Sequence, residues 1–244
     1  MIIGKIMMIQ NSSPVDSVDY LISKKSIELK DKIKNYTLNR FIDEIGVSKT
    51  SMVRYLKNIN IHKFTRYKEI MYEEYMHAEV DMRLTKQTLQ MSITKNKRDI
   101  FNKVMKCRRI IILGDGNRFS LLLYQKALTY LDHSCEIPVY LGSEETVIEE
   151  YNLTKDDLVI IVSLHENCDN FLMNRSLFYQ DAKYLELKTD VHVAFIGIKD
   201  TYINDKLYFH YEIPNESFDL RMACLNKFFL DMTHYILLNT DTIN

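Results

Sequence analysis

LNRFIDEIGVSKTSMVRYLK, residues Leu38 to Lys57, decides how the rest of the chain is read. Leu38, Phe41, Ile42 and Ile45 recur at i, i+3, i+4 and i+7, the spacing of one apolar helix face. Gly46 follows where a helix stops in a left-handed residue. Ser48 is then a good N-cap, its hydroxyl accepting from a free backbone N–H of a second helix. On that second helix Met52, Leu56 and Ile59 make the buried face. Thr50, Val53, Arg54 and Lys57 make the opposite one. Asn60 ends it, because Asn tolerates the left-handed conformation. The pattern predicts a helix-turn-helix whose recognition helix is Ser48–Ile59.

Charge agrees with that reading. The 244 residues have a net charge of −1, but residues 1–106 carry 20 Lys+Arg against 12 Asp+Glu, and residues 107–244 carry 12 against 21. A basic part joined to an acidic part points to a polyanion partner for the first and a different partner for the second. Between Lys34 and Lys68 there are 8 Lys+Arg and 2 Asp+Glu, so the two-helix motif sits at the basic centre. The composition, 46% hydrophobic and 27% charged, is that of a globular protein. With 6 Gly and 3 Pro, turn-rich β architectures and long flexible linkers are not expected. MIIGKIMMIQ is interrupted by Lys5 and does not read as a secretory signal. No run approaches a membrane span of about 18 apolar residues. Cys107, Cys135, Cys168 and Cys224 form no C-x-x-C pair and read as neutral thiols of a reducing cytoplasm.

Around the motif the first 80 residues read as an all-helical domain. Met1–Ser13 is apolar and fits either a helix or an arm. Val15–Lys34 reads as a helix with Val18, Leu21, Ile22 and Leu29 as core candidates. Lys63–His77 reads as another, with Phe64, Tyr67, Met71 and Tyr75 at helical spacing. Residues 81–106 read as a linker and lead-in helix. From residue 107 to 244 the texture changes. Strand-like runs at Arg109–Leu113, Ile137–Leu141, Leu158–Ser163, His192–Ile198 and Leu207–Ile213 alternate with helical stretches at Ser120–Leu131, Glu144–Tyr151 and Phe171–Leu187. Phe218–Leu238 closes the chain as a long helix. This alternation predicts an α/β three-layer domain with a parallel sheet covered on both faces.

Three groups of residues carry the chemistry. Reading DNA requires side chains that donate to phosphates and base edges from one end of a helix that fits the major groove. Ser48, Lys49, Thr50, Ser51 and Arg54 stand at that end and on that face. Lys57, Lys63, Arg66 and Lys68 follow as phosphate contacts. The plain alternative is a helical hairpin with a solvated basic face. The second group is LGDGNRFS, Leu113–Ser120, after the first strand. Gly114 and Gly116 let backbone approach a ligand, and the helix that follows offers free N–H groups to an anion. Phe119 occupies the third glycine position of a dinucleotide fingerprint, which speaks against that ligand. The third group is VSLHENC, Val162–Cys168, at the carboxyl end of a later strand, where open α/β sheets bind ligands. Ser163, His165, Asn167 and Cys168 would line that crevice. His165 and Cys168 alone make too few ligands for a metal. A Ser/His nucleophilic pair has no acid or oxyanion hole beside it.

Taken together these residues resemble the RpiR/MurR family of bacterial transcriptional regulators, an N-terminal helix-turn-helix followed by a sugar isomerase (SIS) domain. The resemblance spans nearly the whole chain. GVSKTSMVRYLKNINIHKFTRYK is similar to the family stretch G-V-S-x-x-T-V-x-R followed by L-G-F-x-G-F. Ser48 and Arg54 match; Ser51 stands where Thr is usual and Asn60 where Gly is usual. In the second half the likeness is to the G-x-G-x-S and S-x-S-G-x-T loops that hold a sugar phosphate. Gly114, Gly116 and Ser163 match. Arg118 stands at a serine position, and His165, Glu166 and Cys168 replace the later Ser, Gly and Thr.

The resemblance implies a cytoplasmic regulator that is not an enzyme, binds double-stranded DNA and assembles as a homodimer or higher oligomer. The last helix is expected to carry the dimer contact. The implied effector is a phosphosugar or related carbohydrate derivative, held by Gly114, Gly116, Asn117, Arg118, Ser163, His165, Asn167 and Cys168. No cofactor, metal or catalytic residue is assigned. Two rivals stand beside this reading. In one the SIS domain keeps only its dimerisation role, which the altered loops favour. In the other the chain is a phosphosugar isomerase, with His165, Glu166 and Glu216 as the candidate bases and nothing in the sequence to orient them.

Overall fold

The computed structural model describes residues 2–86, 95–114, 118–131, 133–137, 151–164, 191–198, 209–214 and 216–239, with backbone alone at 77–86, 95, 114, 118–120, 163 and 210. The chain divides into two units, Met1–Thr88 and Leu89–Asn244.

The first unit is helical. Helix α1 (Ile2–Ser12) buries Ile2, Ile3, Ile6 and Met7 on one face. The backbone N–H groups of Ile2 and Ile3 donate to the Glu74 carboxylate at 2.6 and 3.3 Å. A carboxylate at a helix N-terminus satisfies free donors and the dipole at once. The ambiguous apolar segment is therefore a helix packed on its neighbours, not an arm. Ser17 caps α2 (Val18–Glu28) by accepting from Tyr20 N–H. Ile22 and Leu29 are buried as expected, whereas Val18 and Leu21 are half-buried and Tyr20 takes the inner place. A 3-10 turn at Ile33–Asn35 leads to α3 (Leu38–Ile45), capped by the Thr37 hydroxyl. Gly46 ends α3 at φ 77°, and Ser48 opens α4 (Lys49–Asn58) by accepting from Ser51 N–H. Asn60 follows with φ 62°.

Helix α5 runs from Phe64 to Lys86, past His77 and past residue 80 where the first domain was expected to close. Residues 78–86 contain no Gly or Pro, so nothing local stops the helix. Phe64, Tyr67 and Met71 are buried and Tyr75 is half-buried. The rings of Phe41 and Phe64 lie 5.2 Å apart, and those of Phe64 and Tyr67 6.0 Å apart, so α3 and α5 share one aromatic core.

The second unit opens with α6 (Lys95–Lys106). It continues through β1 (Arg109–Gly114), α7 (Arg118–Tyr130), β2 (Ser134–Glu136), β3 (Asp157–Ser163), β4 (His192–Ile198), β5 (Phe209–Ile213) and α8 (Phe218–Asn239). The five strands form one parallel sheet in the order β2-β1-β3-β4-β5. Ile110, Ile112, Leu158, Ile160, Val162, Ala194 and Ile196 face a core built with Phe101 and Val104 of α6, Leu128 of α7 and Phe228, Phe229 and Met232 of α8. Ile111, Leu113, Val159, Ile161, Val193 and Phe195, which point the other way, are also buried. Strands buried on both faces are why these runs read as continuous Ile/Val/Leu rather than as an alternation.

One strand was not expected. Ser134–Glu136 pairs with β1, with Arg109 opposite Ser134. The polar ends of this strand hid it. Glu136 is buried because Arg109 Nη1 lies 3.8 Å from its carboxylate, and the Gln125 amide donates to the Cys135 carbonyl at 2.9 Å. Residues 138–141, and the expected helices over 144–150 and 171–187, lie outside the described residues. Most of the apolar face of α8 is spent in this unit's own core; Leu220, Leu230 and Leu238 remain exposed.

Candidate functional site

One cap and one glycine build the tip of α4. Gly46 N–H and Val47 N–H donate to the Ile42 carbonyl, which turns the chain sharply after α3. Ser48 then accepts from Ser51 N–H at 3.1 Å, and the two hydroxyls lie 2.9 Å apart. Helix α4 buries Met52, Tyr55 and Leu56. Ser48, Lys49, Thr50, Arg54, Lys57 and Lys63 are exposed and Ser51 is half-buried. Among the described residues no acid pairs with Lys49, Arg54, Lys57 or Lys63. Nearby acids are engaged elsewhere: Glu44 lies 3.0 Å from Lys25, whose pKa this hydrogen bond raises, and Glu69 pairs with Arg66 at 3.7 Å. The result is an uncompensated cationic edge on one helix, the electrostatics that a phosphate backbone recognises.

Lys68 departs from the sequence expectation. Its ammonium donates to the carbonyls of Lys34 and Tyr36 at 2.9 and 3.0 Å, which commits it to holding the turn before α3 against α5. Arg66, paired with Glu69, is likewise less available to a phosphate.

Sequence reasoning missed the buried hydroxyl that links α4 to α2. The Tyr55 hydroxyl is buried and lies 2.8 Å from the Ser23 hydroxyl on α2. Tyr67 of α5 donates to Ser26 of α2 at 2.5 Å, and Ser26 donates to the Ile22 carbonyl at 2.7 Å. Burial pushes the phenols of Tyr55 and Tyr67 well above their ordinary range, so both stay protonated. The signal was a tyrosine at the inner position of an otherwise apolar face. A buried phenol needs a partner, and only the fold names it.

In the second unit the strand order reverses at β1 and β3, because the chain passes from β1 outward to β2 and then returns to β1's other side. Ligands of open α/β sheets bind outside the carboxyl ends of strands at such a switch point. Gly114 pairs with Val162, so the strand ends leading into Leu113–Ser120 and Val162–Cys168 stand side by side. Gly114, Arg118 and Ser163 are placed there by their backbones; Gly116, Asn117, His165, Asn167 and Cys168 lie outside the described residues, as does Glu166. Glu216, the remaining candidate base, is exposed, and its backbone carbonyl accepts from Arg221.

Arg221 is a further residue of this region that the sequence did not single out. It sits in the first turn of α8, mostly buried, and its Nη1 donates to the Leu164 carbonyl immediately after β3 at 2.7 Å. At the opposite end of the strands, Asp157 accepts from Arg108 and Arg109 and from the Thr154 backbone N–H. That cluster braces the amino ends of β1 and β3, away from the switch point. Among the described residues no group of three His, Cys, Asp or Glu side chains is placed to hold a metal ion. No described helix is long and apolar enough to cross a membrane.

No family profile matches the sequence, and no curated protein matches it. Among solved structures the chain is similar to the sugar isomerase domain of an RpiR transcription factor from Sphaerobacter thermophilus, at 11% identity over 70% of this chain and 97% of that one, with a TM-score of 0.43. It is also similar to the Vibrio vulnificus NanR protein complexed with ManNAc-6P, at 12% identity over 90% and 84% of the two chains, with a TM-score of 0.39. A third similarity is to the C-terminal domain of glucosamine-fructose-6-phosphate aminotransferase from Francisella tularensis, at 9% identity over 84% and 55%, with a TM-score of 0.41.

Proposed function

We propose that this chain is a DNA-binding transcriptional regulator of the cytoplasm whose first unit is a helix-turn-helix domain. Its second unit, an SIS-like α/β domain, senses a phosphosugar or related carbohydrate derivative and joins copies of the chain as a homodimer or higher oligomer. One observation carries the first half: α4 presents Lys49, Arg54 and Lys57 outward along its length, with Lys63 beyond its end and no acid paired to them among the described residues. The parallel sheet with its switch point between β1 and β3 supports a small-ligand site in the second unit. The effector contacts Gly114, Gly116, Asn117, Arg118, Ser163, His165, Asn167 and Cys168 belong to this proposal. So does the absence of catalysis.

The experiment has two arms. Full-length protein is used to enrich duplexes from a random-sequence pool, and binding of the enriched duplex is followed by anisotropy against salt. An inverted repeat with half-sites about one helical turn apart, and affinity that falls steeply with salt, is expected. No enrichment with no salt dependence would remove the DNA-binding half. In the second arm hexose and aminosugar phosphates are screened by calorimetry and thermal unfolding, since a ligand of the folded state raises the melting temperature. Heat from none of them would leave the second unit an assembly module.

A further inference from the structure

Resting on the DNA-binding reading, we infer that Tyr55 is a specificity-determining positioning residue: its buried hydroxyl link to α2, a helix held by a second such link to α5, sets the rotation of α4, and with it which base edges its exposed side chains reach.

The apolar contacts of α4 do not fix its rotation by themselves. Met52 and Leu56 are buried, but dispersion contacts are non-directional and tolerate a small roll of the helix. The contact between the Tyr55 and Ser23 hydroxyls is directional and 2.8 Å long. A second hydroxyl link grips the same helix α2. The Ile22 carbonyl can only accept, so the Ser26 O–H points to it and the Ser26 oxygen receives the Tyr67 O–H. Ser23, the partner of Tyr55, lies one helical turn before Ser26. All four side chains are fully buried, so no water replaces a broken link. Three helices are thus joined by two hydroxyl links on α2, and α4 enters through a single atom, Tyr55 Oη.

The residue next to that anchor is Arg54, which faces outward. A side-chain tip about 6 Å from the helix axis moves about 2 Å when the helix rolls by about 20°. That displacement breaks a hydrogen bond to a base edge, whose tolerance is a few tenths of an ångström. It barely alters the attraction of a cationic helix to phosphates, which is long-ranged and indifferent to sequence. Loss of the anchor should therefore lower selectivity and leave bulk affinity for DNA in place.

Full-length wild type, Tyr55→Phe, Ser23→Ala and Ile6→Val are compared by anisotropy. The probes are the duplex enriched by the wild type and poly(dI-dC). Ile6→Val removes a buried methylene from α1, outside the hydroxyl links, and controls for loss of stability alone. For Tyr55→Phe and Ser23→Ala the Kd on the enriched duplex should rise about five- to tenfold. On poly(dI-dC) it should stay within about twofold. Ile6→Val should leave the ratio of the two affinities at its wild-type value. A wild-type ratio in Tyr55→Phe, or an equal fall of the ratio in Ile6→Val, overturns the role of Tyr55 and leaves the DNA-binding reading intact. A wild type that binds both duplexes equally, or neither, overturns both.

Discussion

The Arg221 guanidinium reaches from the first turn of α8 to the Leu164 carbonyl, 57 residues earlier in the chain, at 2.7 Å. Its Nε donates to the Glu216 carbonyl at 2.7 Å as well, so one buried cation ties the carboxyl end of β3 to the turn that starts α8. Arg221→Met keeps much of the apolar volume but leaves both carbonyls without this donor. Charge-assisted bonds of this kind are worth about 1.5–3 kcal/mol each and partly substitute for one another, so a loss of about 2–4 kcal/mol is expected. Urea unfolding measures it, and amide exchange at Val162–Leu164 should quicken in the same variant. A midpoint within error of the wild type would show that the contact contributes nothing net.

Asp157 gives the protein an acid-sensitive edge. Burial alone would raise its pKa from the ordinary 3.8, but hydrogen bonds from Arg108, the Thr154 backbone and Arg109 outweigh it and the net shift is downward. A depressed carboxylate contributes stability that is fully present above its unfolded pKa and is lost as pH falls through the folded one. The second unit should therefore lose stability below about pH 4, with little dependence on this group above about pH 5. Asp157→Asn should flatten that acid limb. It also leaves Arg109 buried without its nearest counter-charge, a loss of about 3–5 kcal/mol for a broken buried pair. The low end is expected, because Glu136 still lies 3.8 Å from Arg109 and Arg108 is 58% exposed. Denaturant titrations of both proteins from pH 3 to pH 7 supply the test; parallel profiles would remove Asp157 as the cause.

Arg54→Ala is expected to weaken binding to the enriched duplex by about 1–3 kcal/mol and to relax its selectivity if the guanidinium meets a guanine edge. If it meets a phosphate, affinity should fall alike on all duplexes and the salt slope should become shallower by about one contact. Lys57→Ala is expected to follow the second pattern. Unchanged titrations for both variants would take this face of α4 out of the DNA contact.

Gly46→Ala isolates backbone strain. A Cβ at Gly46 meets nothing within 4 Å, but the residue holds φ +77°, where an L side chain is strained. The expected loss is about 1–2 kcal/mol, with no change in the urea m-value, because no packing is disturbed. Gly46→Asn should lose less, since Asn tolerates this region. Equal losses for Ala and Asn would mean that something other than φ limits the site.

The cysteines follow their burial. The Cys107 thiol is pushed up to about 12 by desolvation, and burial, with Glu136 beside it, pushes Cys135 well above the ordinary thiol value. Neither is a thiolate at neutral pH, so iodoacetamide should spare both in the native protein and label them once urea unfolds it. Native labelling of Cys107 at the rate of a free thiol would contradict its placement between α6 and β1.

What the sequence by itself determined was short-range. Gly46, Ser48 and Asn60 act on backbone groups within four residues of themselves. The end of α3 and both ends of α4 were therefore legible before any tertiary contact was known. The apolar runs of β1, β3 and β4 were legible for a related reason: a strand buried on both faces leaves no room for polar residues. The charge split and the cationic edge of α4 needed only counting and helical spacing. Tertiary structure decided what depends on partners far away in the chain. Ser134–Glu136 is a strand because Arg109 neutralises Glu136 and β1 supplies the ladder, so its polar residues misled a local reading. Tyr55 was absent from the apolar face read in the sequence, and Ser23, 32 positions earlier, gives its buried hydroxyl a partner. Arg221 was not singled out in the sequence and takes its place where the ends of β3 and α8 come together around it. Caps and periodicities act through bonds of three or four residues' reach, whereas a buried polar side chain is defined by the donor or acceptor that the fold brings to it.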